Sequence, residues 1–149
     1  MKTIYTDIIH HLRKECPWIH TLDLNTGQLE GGGSLRQPPV AYPAVLLDIR
    51  IDSASDLSPH RQYCEATISV TYRTDKVSRT ASHYDESMQS EGLHPYEEVA
   101  DLYRALQGFR TEHFDPLSRV RQAPVSSPPG TFGYITTFRT AFVDDTARE

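Results

Sequence analysis

Seven histidines and two cysteines are the residues of this 149-residue chain best suited to hold a metal or to attack a substrate. Their spacing favours neither chemistry. His10 and His11 are adjacent, so on a helix their side chains point about 100° apart and cannot face one ion. His20, His60, His83, His94 and His113 are scattered, and no pair has His-x-x-x-His or Cys-x-x-Cys spacing. Cys16 and Cys64 have no second cysteine nearby, which indicates neither a zinc ribbon nor a disulfide framework and leaves both as small buried hydrophobes.

Nucleophilic catalysis on a strand-to-helix elbow requires Gly-x-Ser-x-Gly, and Gly33-Ser34 lacks the closing glycine. Gly31-Gly32-Gly33 is not followed by Gly-Lys-Ser/Thr or by a helix, so it reads as flexible loop rather than phosphate cradle. The acid pairs Glu97-Glu98 and Asp144-Asp145 have the chemistry of a general acid and base. They sit at a helix start and near a chain end, where carboxylates are ordinarily solvated. No motif points to an enzyme, a metal or a cofactor.

Two charge patterns remain. Between Arg79 and Arg104 there is no Lys or Arg, while Asp85, Glu86, Glu91, Glu97, Glu98 and Asp101 all fall inside that interval. This is either a solvated loop with helix-start complementarity, or a surface that repels polyanions or docks a basic partner. Asp48, Arg50, Asp52, Glu65 and Arg73 share the polar parity of two strands and are expected to meet across them. They form either a solvated face or a subunit interface in which mixed charges set register. With 20 acidic against 15 basic residues, a net charge of −5, the chain is poorly made for gripping nucleic acid.

The elements that must position these groups follow from periodicity. Ile4, Ile8, Ile9 and Leu12 line one face of a helix over 3–16, which Pro17 ends. A short strand is expected over 18–24, then a long Gly- and Pro-rich loop over 25–43. Residues 44–52 alternate, with Val45, Leu47, Ile49 and Ile51 inward; residues 63–74 repeat the pattern with Cys64, Ala66, Ile68, Val70 and Tyr72 inward. The turn-rich stretch 53–59 joins the two as an antiparallel hairpin. After a second long loop over 75–93, Pro95 opens a helix carrying Val99, Leu102, Tyr103 and Leu106, with Gly108 as its C-terminal stop. A weaker strand over 117–125 and a long aromatic one over 131–144 close the chain, whose last residues, 145–149, read as a frayed tail. The expected fold is a single α+β domain over 1–149. Its mostly antiparallel sheet of four or five strands carries both helices on one face, in the order α-β-β-β-α-β-β. The longest apolar run, Ala44 to Leu47, is far short of the ~20 residues a membrane span requires, and the N-terminus lacks a signal-peptide pattern, so a cytoplasmic protein is expected.

Five segments carry a family resemblance: Cys16-Pro17-Trp18, Asp23 through Leu29 (DLNTGQL), Tyr42 through Asp48 (YPAVLLD), Asp101 through Phe109 (DLYRALQGF) and Phe138 through Asp145 (FRTAFVDD). In that order they resemble small prophage-encoded structural proteins, nearest the tail-terminator and tail-completion family of long-tailed bacteriophages. The resemblance implies a non-enzymatic α+β subunit, active in assembly rather than turnover. Such subunits form a hexameric ring on the tail tube and present a surface to the head connector. It implies as partners other copies of the chain, the tail tube protein and the head-connector protein, and as location the host cytoplasm during assembly and then the virion tail. It gives the loops over 25–43 and 75–93 neighbours to touch and gives the acidic interval a lumen to line, where it would keep passing DNA from adhering. A head–tail or baseplate subunit of the same fold, and a small enzyme or ligand-binding module, are the competing readings.

Overall fold

The computed structural model describes residues 1–29, 40–75, 86, 92–125 and 130–148. Among them are two long helices and five strands. Helix α1 is Lys2–Glu15, and strand β1, Thr21–Leu24, follows it. Strands β2, Ala44–Ser58, and β3, Arg61–Thr74, form a long hairpin. Helix α2 is His94–Leu106, and β4, Ser118–Pro124, and β5, Phe132–Asp144, complete the order. The sheet runs β1-β2-β3-β5-β4, with β1 parallel to β2 and every other pair antiparallel.

Helix α1 buries Ile4, Ile8, Ile9 and Leu12, the stripe that the spacing requires, and places Arg13 and Lys14 in its last turn, where cations complement the helix dipole. Helix α2 carries Pro95 in its first turn, buries Val99, Leu102 and Leu106, and stops before Gly108, whose φ of +77° is open to glycine at little strain. Both helices cover the row Cys64, Ala66, Ile68, Val70 and Tyr72 of β3, joined by Val45 and Leu47 of β2 and Phe138 and Phe142 of β5. An expected turn over 53–59 is instead strand. Ser53, Ala54, Ser55 and Asp56 pair with Glu65, Cys64, Tyr63 and Gln62, and only Pro59 and His60 remain in the turn. Turn-forming side chains were overridden because β3 is already held in register by β5 as far as Gln62, and β2 follows it with two bulges. The first strand is shorter than expected, starting at Thr21 rather than at Trp18, whose ring lies edge-on to Tyr72 at 6.0 Å.

One polar bond ties sheet to helix inside this core. Tyr72 Oη donates to Glu98 Oε1 at 2.7 Å, and both residues are buried. Burial, and then the Glu98 carboxyl, push the phenol's pKa upward. Tyr72→Phe should therefore lower the unfolding free energy by about 1–3 kcal/mol, because it strands a buried acceptor. Tyr72→Phe with Glu98→Leu should recover most of that loss; urea denaturation of the single and double variants checks both.

Candidate functional site

The sheet face away from the helices is where Asp48, Arg50, Asp52 and Glu65 were expected, and the structure places them there. Their pairing differs from expectation. Asp48 lies opposite Ser69, Arg50 opposite Thr67 and Glu65 opposite Ser53, so no acid faces a base across β2 and β3. The ion pair forms along β2 instead: Arg50 Nε donates to Asp52 Oδ1 at 2.7 Å, and Thr67 Oγ1 donates to the other Asp52 oxygen. The Thr67 hydroxyl first, and then Arg50, hold the Asp52 carboxyl below its ordinary pKa. Ser53 Oγ donates to Glu65 Oε2 at 3.2 Å.

Arg73 shares this parity but is not surface. It is 5 % exposed, and its Nη1 donates to the Leu29 carbonyl at 2.6 Å. Leu46, Thr71 and Leu29 are buried too, so this end of the helix-free face is covered and only the end from Asp48 onward is open. Reading the alternation alone makes Arg73 exposed, since it cannot see a chain segment laid over the sheet. Arg139 and Arg121 also belong to the face. Arg139 pairs opposite Thr67, and Arg121 is opposite Thr137, so the outward parity of the last long strand held this signal. An open hollow of about 640 Å³ lies here, lined by Arg50, Asp52, Glu65, Thr67, Asp115 and Arg139 among others.

The acidic interval is divided. Asp85 and Glu91 lie outside the described residues, and Glu86 is exposed. Glu97 is exposed beside His94 Nδ1 at 3.1 Å, and Asp101 pairs with Arg104 one turn on. Glu98, expected on the same acidic surface, is 3 % exposed and belongs to the core through Tyr72. Two of these acids therefore have a partner within their own helix, and the third is interior.

His11 and the two cysteines serve the fold, while His83 lies outside the described residues. His11 stacks on Phe109 at 3.8 Å, and its Nε2 lies 2.7 Å from the Ala105 carbonyl, an acceptor only, so Nε2 carries the proton. Cys16 and Cys64 are buried; burial, and then the Asp101 charge, push the Cys16 thiol up to about 11, which disfavours the thiolate that nucleophiles and metal ligands need. Among the described residues no three His, Cys, Asp or Glu side chains come together as metal ligands. No described helix is long and apolar enough to cross a membrane.

His113 is part of a clamp between α1 and the segment joining α2 to β4. Its Nδ1 lies 2.7 Å from Asp7 Oδ2, which also accepts from Thr111 Oγ1 at 2.8 Å. The bond to Asp7 raises the His113 pKa and outweighs the opposing effect of burial. At Asp7 burial acts upward, but the bonds from His113 and Thr111 outweigh it and the net shift is downward. A raised histidine contributes stability below its unfolded pKa of about 6.5 and loses it as pH climbs through the higher folded value. A lowered aspartate contributes above its unfolded pKa of about 3.9 and loses that as pH falls through the lower folded value. The clamp is thus strongest between the two unfolded values. The urea midpoint of the native chain should fall from pH 5.5 to pH 8, and His113→Gln should flatten that fall.

No family model matches the chain, and no curated protein does. A solved structure of like fold is a chain from the "Virion of native gene transfer agent (GTA) particle". The likeness covers 92 % of this chain and 92 % of that one, with a TM-score of 0.57 and 14 % sequence identity. At that identity it establishes a shared fold.

Proposed function

We propose that this chain is a non-enzymatic structural subunit of a phage-like virion. Its place is the end of the tail, as a tail-terminator or tail-completion protein whose copies close into a ring between tail tube and head connector. The observation that carries this reading is a fold shared over 92 % of both chains with a component of a gene transfer agent virion. Fold alone does not fix function, so the surface must agree. It does so through a sheet whose two described long helices lie on one face, while the other face carries exposed Asp48, Arg50, Glu65 and Arg139. A large polar sheet face of mixed charge suits register-specific contact between subunits, while the hollows on it and beside Met1 are open rather than enclosing.

On this reading the partners are other copies of the chain, the tail tube protein and the head-connector protein, met in the host cytoplasm before the virion is complete. Glu86, Glu97 and Asp101, the described acids of the interval that lie outside the core, face the lumen and repel DNA as it passes. Light-scattering mass over a concentration series, with negative-stain imaging, tests the proposal. Six chains of 16.9 kDa should appear as a ring of about 101 kDa. A chain that stays at 16.9 kDa throughout and does not cap isolated tail tubes contradicts it.

A further inference from the structure

One cross-strand row of the open face runs from rim to rim of the sheet. Asp48 on β2 is opposite Ser69 on β3, Ser69 is opposite Thr137 on β5, and Thr137 is opposite Arg121 on β4. Residues opposite one another point to the same side, so an anion and a cation end the row on one face. Three inter-strand spacings separate them, roughly 14 Å, which exceeds a Debye length of about 8 Å at physiological salt. Neither can neutralise the other within one chain. Both are exposed, and neither has an ion-pair partner among the described residues, whereas Asp52 is engaged by Arg50 and Thr67.

The rims themselves are unlike. Strand β1 ends opposite Leu47, whose carbonyl takes the Asn25 N–H, so from Asp48 onward no strand among the described residues lies on the outer edge of β2. The outer edge of β4 is blunted: the Arg119 N–H goes to Gln107 Oε1 at 2.8 Å, and Pro124 has no N–H. A continuous sheet across two chains is therefore disfavoured at the β4 rim, and side chains must make the contact. An acidic rim and a basic rim on opposite edges cannot satisfy a two-fold contact of one rim with itself. They suit a head-to-tail contact, the type that generates rings.

We infer that copies of this chain associate rim to rim, Asp48 of one copy meeting Arg121 of the next, which continues the polar row from subunit to subunit. This rests on the ring reading above and names the contact that closes it. The test is charge reversal in the full chain. Asp48→Arg and Arg121→Asp should each raise the concentration for half-assembly by about tenfold or more, since each sets like charges against one another. The two substitutions combined should restore assembly close to the native level. Unchanged circular dichroism and thermal unfolding would show that the exposed substitutions leave the fold intact. If the native chain forms rings and either single variant assembles as it does, or the combined variant is no better than the singles, this contact is overturned while the ring stands. If the native chain forms no ring either in solution or on isolated tail tubes, both fall.

Discussion

Everything in this structure follows from having to bury one side of β3 along its whole inner length. It is the middle strand of five, and the row from Cys64 to Tyr72 lies under both helices with Phe138 and Phe142 of β5 beside it. A sheet so centred needs a cover about two helices wide, which α1 and α2 supply with their apolar stripes. Neither of these two helices reaches the other face. That face must be made compatible with water or covered by something else, and both solutions appear. Leu29 and the buried Arg73 close one end, and Ser, Thr, Asp and Arg side chains occupy the other.

The same constraint decides which charges remain for contact with other molecules. Glu98 and Arg73 look like surface residues, yet each is held inside, one by the Tyr72 hydroxyl and the other at the Leu29 carbonyl. Removing either partner leaves a buried polar group without its bond, so these two are fixed by stability. Asp52 is held by neighbours on its own sheet, and Asp101 by Arg104. Among the described residues, Asp48 and Arg121 are left at the rims without an ion-pair partner. Assembly specificity, on this account, belongs to the few charges the fold does not use.

Much of this architecture was legible from short-range pattern. The stripe Ile4, Ile8, Ile9 and Leu12, the inward row of β3, the start of α2 beside Pro95 and its stop before Gly108 all depend on neighbours within a few positions. What was not legible depends on distant ones. The bond to Glu98 comes from 26 positions away and the Leu29 carbonyl is 44 positions from Arg73, so a helix-start reading put Glu98 outside and strand alternation put Arg73 there. The stretch 53–58 has turn-forming residues and became strand because β3 and β5 set its register from the far side of the hairpin. Strand order was likewise hidden: β5 inserts beside β3 and leaves β4 at the rim, which is what brings Arg121 to an edge. The outward parity of β5, with Thr137 and Arg139, was readable and would have pointed to the basic half of the face.

The central claim is that the open rims of the sheet, rather than the helices, carry self-association. Hydrogen–deuterium exchange on the native chain, compared between dilute and concentrated samples, measures this peptide by peptide. The account predicts slower exchange on concentration in the peptides covering 48–58 and 118–124, with α1 and α2 unchanged. Protection confined to the helices, with both rims exchanging as in the dilute chain, would contradict it.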